Sequence, residues 1–177
     1  MDLFFVGALL LLVFGLASTS GSSSSSSGPG RVLQRENARG VHQDLQGLLD
    51  EWERVGTHQV LIPSSPWGGL RTSEADQASY AGDGYSAAAT LRATPHGRGG
   101  GLDVWPVGFE HYVNGTWQAV PAELKQRFTD FGVFAELNGF VWGGRWRSAS
   151  YPNGDQPHVE LRNWRSLPFP PPPGGYS

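Results

Sequence analysis

The feature that most narrows the fold stands at the start of the chain. An apolar run, Leu3 to Leu16, gives way at once to a serine and glycine tract, Ser18 to Gly30. The tract can bury nothing and reads as a linker. The run is shorter than the ~20 residues that a bilayer span needs and suits the apolar part of a secretory signal, with Gly15-Leu16-Ala17 as a cleavage pattern. Asp2 stands where such signals carry a positive charge, so residues 1–17 read either as a signal peptide or as an uncleaved membrane anchor. Both readings place the rest of the chain outside the cytoplasm: exported to the periplasm or cell wall, or held at a membrane through residues 3–16. Residues 168–177 are mostly proline and glycine and read as a disordered tail. The fold is thereby confined to residues 31–167, about one domain of chain, enough to bury a core.

Charge and cysteine count remove several classes of function. Thirteen basic residues against sixteen acidic leave a net charge of −3, which argues against a nucleic-acid binder, since that needs a basic face. With no cysteine in the chain, disulfides, thiolate zinc sites and thiol nucleophiles are excluded. Any metal site must be built from His, Asp and Glu.

Within the domain, Val41, Leu45, Leu48, Leu49 and Trp52 recur at helical spacing before Gly56. Val60 to Ile62 reads as a short strand ended by Pro63. Ser73 with Asp76 predicts a capped helix through about Tyr80, and residues 81–93 read as loop. Gly101 to Trp105 reads as a strand. Asn114-Gly115 between two β-rich runs predicts a hairpin. Pro121 opens a helix whose predicted apolar face is Leu124, Phe128, Phe131, Phe134 and Leu137. Phe140 to Trp142 and His158 to Leu161 are further strands. Few strands with helices grouped around them predict an α+β domain, a small antiparallel sheet flanked by helices.

Two clusters can carry chemistry. In Thr94-Pro95-His96-Gly97-Arg98-Gly99-Gly100-Gly101-Leu102-Asp103, four glycines let a loop fold tightly enough to aim His96 and Asp103 at one point. Asp103, between Leu102 and Val104, is expected to be buried and to need a cation or hydrogen bonds. In Asp155-Gln156-Pro157-His158-Val159-Glu160, His158 and Glu160 share a strand face, and Asp155 can reach the same locus from the loop. Taken singly, the first also fits a plain glycine loop and the second an ordinary turn into an edge strand. Together they supply two imidazoles and carboxylates, a set compatible with zinc that leaves a position open for water. Of the remaining histidines, His42 and His58 read as surface residues and His111 as structural. Glu74, Asp83 and Glu110 read as solvated charges.

In order and spacing these motifs resemble the zinc peptidases that cut peptidoglycan stem peptides, the VanY-type D-alanyl-D-alanine carboxypeptidases and the phage L-alanyl-D-glutamate endolysins. The family pattern Ser-x-His-x-x-Gly-x-Ala-x-Asp is met by Thr94, His96, Gly99, Gly101 and Asp103. Its Gly-Tyr-Arg-Ser segment and following helical Gln are met by Gly69-Leu70-Arg71-Thr72-Ser73 and Gln77. Its Trp-Gly-Gly-x-Trp and Asp-x-Pro-His-Phe-Glu are met by residues 142–146 and 155–160. The likeness runs from Val41 to Leu161.

What the resemblance implies is a DD-peptidase-like fold, also called hedgehog-like, with Zn2+ held by His96, Asp103 and His158. Asp155 is then the catalytic acid/base, and Arg71 steadies developing charge on the substrate. Glu160 either orients His158 or faces solvent, and Trp142 and Trp146 either line the groove or pack in the core. The implied partner is the stem peptide, cut between L-Ala and D-Glu or before a terminal D-Ala, by a bacterial wall enzyme or a phage virion or lysis protein. The motifs lean to the endopeptidase. A longer, turn-rich stretch from Trp146 to Asp155 leaves the cleaved bond open. The alternative is a non-catalytic zinc-containing module of the wall or virion, against which the presence of Asp155 and Arg71 speaks.

Overall fold

The structure, a computed structural model, describes residues 30–177 apart from 65, 66, 83–85, 87, 111, 114, 115, 118, 150, 173, 174 and 177. The apolar run and the serine tract lie outside the described residues, as do His111, Asp83 and the hairpin's Asn-Gly turn. Helix α1, Gln43–Val55, buries Leu45, Leu48, Leu49 and Trp52 along one stripe. Its first turn is capped by His42, whose ring accepts from the Asp44 main-chain N–H at 3.3 Å. His42 is therefore no idle surface residue. Helix α2, Glu74–Gly82, starts where Ser73 Oγ accepts from the Asp76 N–H at 3.1 Å, the cap that the sequence predicts. Helix α3, Ala122–Leu137, follows Pro121 and buries Leu124, Phe128, Phe131, Gly132 and Ala135. Leu137, expected on that face, is 82% exposed, because its spacing from Phe131 and Leu124 falls off the i, i+3, i+4, i+7 stripe.

The strands form two three-stranded sheets and a ribbon, so the expected α+β class holds, with the sheet divided. In the first sheet β2, Val60–Leu61, pairs parallel with β1, Val32–Leu33, and antiparallel with β4, Trp105–Pro106. In the second, β8, His158–Glu160, lies antiparallel between β3, Gly101–Asp103, and β7, Val141–Trp142. The ribbon pairs β5, Tyr112–Val113, with β6, Thr116–Trp117, as predicted. The single strand predicted over 101–105 is two: buried Val104 turns to donate to Pro157 O at 3.0 Å, and the chain passes from one sheet to the other there. That switch carries Asp103 into the second sheet, beside β8.

The main core joins α1, α3 and both sheets around Trp52, whose indole meets Phe131 and Phe134 edge-on at 5.0 and 5.1 Å. Trp52 Nε1 donates to His58 O at 3.1 Å, and His58 is itself half-buried against that indole. Leu49 is fully enclosed in this core. Leu49→Ala is expected to cost about 2–5 kcal/mol, read as a lower denaturant midpoint at unchanged slope.

The proline-rich end, read from composition as disordered, lies against the domain in its described residues. Phe169 is under the guanidinium groups of Arg92 and Arg98, at 5.8 and 5.7 Å, and Tyr176 packs on His42 at 5.0 Å. Among the described residues no helix is long and apolar enough to cross a membrane.

Candidate metal centre and active site

The register of β3 on β8 sets Asp103 directly across from His158. His96 reaches them from a single 3-10 turn, His96–Arg98, closed by Gly99 in the left-handed region at φ 70°. Gly101 sits where a side chain would be tightly fitted. A Cβ there would come within 3.0 Å of Pro95 and 3.2 Å of the His158 ring. The glycines thus let the loop press His96 against the sheet, as the sequence predicts.

Three atoms converge. His158 Nδ1 is 3.0 Å from Asp103 Oδ1 and 3.1 Å from His96 Nε2, and His96 Nε2 is 3.4 Å from the same Asp103 oxygen. Adjacent ligands of a tetrahedral ion with ~2.0–2.1 Å bonds stand roughly 3.3 Å apart, so this spacing suits a divalent metal. The outward ring atoms are already engaged. His96 Nδ1 donates to Gly69 O at 2.9 Å, and His158 Nε2 meets Glu160 Oε2 at 3.2 Å. Each pairing turns the other nitrogen to the centre, the usual way outer partners orient metal-binding histidines. Of the two readings of Glu160, the geometry gives the one in which it orients His158.

Two of the three ligands are in the protonation state a metal needs, and the third holds a proton that the metal would displace. Burial foremost, with the Arg71 charge second, lowers the His96 pKa to about 4, so its imidazole is neutral at pH 7. Burial opposes ionisation of Asp103, yet the His96 and His158 charges and hydrogen bonds hold it well below the usual carboxylate range. Burial opposes the His158 cation too, but Asp103, Glu160 and Asp155 outweigh it and raise its pKa to about 10.

Around this centre lies a groove of ≈ 710 Å³ whose lining includes Trp67, Arg71, Trp105, Trp146, Tyr151 and Asp155. Arg71 Nη2 is 3.8 Å from Asp103 Oδ2, and its Nη1 donates to the fully buried Gln77 at 3.3 Å. Its guanidinium lies over the Tyr80 ring at 5.7 Å. Gln77 Nε2 donates in turn to Ser86 Oγ at 2.8 Å and Ala88 O at 2.6 Å. Asp155 enters from the loop before β8, its N–H donating to Gly143 O at 2.8 Å. Burial above all, helped by the Asp103 and Glu160 charges, pushes its carboxyl up to about 6, against the pull of His158 and Arg71.

The two tryptophans divide their roles. Trp146 lines the groove with its ring 5.2 Å from that of His158, whereas Trp142 is in the core. Glu74 is not merely solvated, since its Oε2 accepts from the Leu91 N–H at 2.9 Å and steadies the approach to His96. Glu110 is exposed, as expected. Sequence reasoning did not find the Gly69 carbonyl or the Trp67, Tyr80 and Trp105 rings. A main-chain acceptor leaves no mark on residue type, and aromatic residues signal core and groove alike.

Fold and site together define an α+β domain with a buried His-Asp-His centre opening on a groove, flanked by an acid and an arginine. The sequence profile of a family described as D-alanyl-D-alanine carboxypeptidase matches residues 88–161, a span that holds His96, Asp103, Asp155 and His158. Over residues 88–161 the chain is similar to this VanY-like peptidase family. No curated protein matches it in sequence.

Proposed function

We propose that the protein is an exported zinc peptidase of peptidoglycan stem peptides, with His96, Asp103 and His158 holding the ion and Asp155 as acid/base. The observation that carries this reading is the meeting of three metal-binding atoms within 4.8 Å of one another, in a groove that Asp155 and Arg71 also line. Zinc would supply Lewis acidity toward a peptide carbonyl and toward water. The chain's own residues do the rest. Asp155, as carboxylate, takes the proton of the attacking water and returns it to the leaving amine. Arg71, held by Gln77 and Asp103, offers a permanent charge to the oxygen on which negative charge develops. Glu160 keeps the His158 ring turned, and Trp146 and Tyr151, in edge contact at 5.4 Å, wall the groove beside it.

The test is digestion of purified peptidoglycan followed by mass analysis of the products. Zinc-loaded protein is expected to release stem-peptide fragments, to stop with a chelator and to recover when zinc is restored. New amino termini at D-Glu identify the endopeptidase, and loss of one terminal D-Ala identifies the carboxypeptidase. Stoichiometric zinc without any cleavage would favour the non-catalytic wall module instead.

A further inference from the structure

We infer that Trp142 is a positioning residue for Asp155, its indole N–H holding the loop that carries the acid/base at a place set by helix α3. The inference rests on the assignment of Asp155 above. Trp142 Nε1 donates to the carbonyl of Gln156, the residue after Asp155, at 2.8 Å. The Asp155 N–H is bound on its other side by Gly143 O, also at 2.8 Å. Two directional bonds from consecutive residues of one segment thus fix the peptide units around the carboxylate.

The indole has little room to move. A Cβ at Gly132 of α3 would lie 2.1 Å from its ring atoms, and one at Gly144 would lie 2.2 Å away, so the ring is pressed between two glycine backbones. Arg145, 5.2 Å above the ring, is tied to Glu136 of α3 at 3.1 Å. Gly143 completes the template, since a Cβ there would meet Asp155 O at 2.7 Å and the Cβ of His158 at 3.1 Å. Residues 142–144 therefore seat the ring and touch the loop without interposing a side chain. None of the converging metal-binding atoms belongs to this template.

The experiment compares Trp142→Phe with the parent, both zinc-loaded. Phenylalanine keeps an aromatic ring between the glycines and deletes the N–H, leaving the Gln156 carbonyl without that donor. Misplacing an acid/base is costly in rate, so kcat is expected to fall about tenfold, with KM and zinc content unchanged. Without substrate, hydrogen exchange of the Asp155 amide is expected to quicken by a similar factor. Gly144→Ala keeps the N–H but displaces the ring, and should give the same pair of changes. A lowered melting temperature with parental kcat and parental Asp155 exchange would overturn the inference and leave Trp142 as core packing. Asp155→Asn is run beside them. Should turnover survive that change, the acid/base assignment fails, while the Asp155 exchange rate still decides whether Trp142 holds the loop.

Discussion

Asp155→Asn is expected to lower kcat by about 10²–10⁴-fold, the usual worth of a placed general acid/base, while the protein keeps its zinc. The split follows from position. Asp155 lines the groove but is not among the three converging atoms, so its loss removes a proton carrier and no ligand. The variant also carries a signature in pH. The kcat/KM of the parent should rise with pH as the Asp155 carboxyl gives up its proton, and the residual activity of the variant should lack that limb. Stability should move the other way. A carboxyl raised by burial costs the fold stability, beginning as pH passes its unfolded value near ~3.9 and complete above about 6. Asparagine has no proton to lose, so above that pH the metal-free variant is expected to melt higher than the metal-free parent. Activity lost and stability gained by one substitution is the mark of a group kept for chemistry. An unchanged kcat, or zinc lost together with activity, would refute the assignment. Inductively coupled plasma analysis beside initial rates on a stem peptide measures both.

Much of this site was legible because its chemistry is written in scarce residue types. His96, Asp103 and His158 could be named together without coordinates because the ordered motifs resemble those of the zinc peptidases, whereas the glycine loop and the strand taken singly also fitted a plain loop and an ordinary turn. The prediction that Asp103 would be buried and compensated followed from Leu102 and Val104 on either side, and the structure gives it His96, His158 and Arg71 as partners. What stayed hidden depends on distant backbone. The Gly69 carbonyl that turns His96 is a main-chain group from another segment. The passage from β3 to β4 at Val104 follows from Pro157 O being there to receive an N–H, which local alternation cannot register. Strand β1 is only Val32–Leu33, too short for a periodic signal. Trp142 and Trp146 share one motif. Only packing against Gly132 and Gly144 separates the buried ring from the one that walls the groove.

Zinc affinity is expected to climb about tenfold for each unit of pH between 6 and 9, because a ligand must shed its proton before it can bind the ion. The protonation pattern of the centre gives the slope. His96, with its pKa lowered to about 4, is already neutral over that range. Asp103, held well below the usual carboxylate range, is already charged. His158 alone keeps its extra proton, with a pKa raised to about 10 by Asp103, Glu160 and Asp155. One proton should therefore leave for each zinc bound, and calorimetry in buffers of different ionisation heat counts it. The same pairing works oppositely on the metal-free fold. A raised histidine pKa stabilises fully below its unfolded value near ~6.5, and that contribution fades as pH rises through about 10. The ion pair thus secures the empty centre at low pH, and zinc replaces it as the proton becomes easier to lose. Glu160→Gln separates the partners, since it removes the charge behind His158 and leaves the three converging atoms in place. It is expected to lower the pH at which the proton is released and, at a pH where His158 is neutral in both proteins, to weaken zinc by about 10–100-fold. His158→Ala should leave no zinc bound at concentrations that saturate the parent. A flat pH dependence, or full occupancy without His158, would show that the ion is held elsewhere.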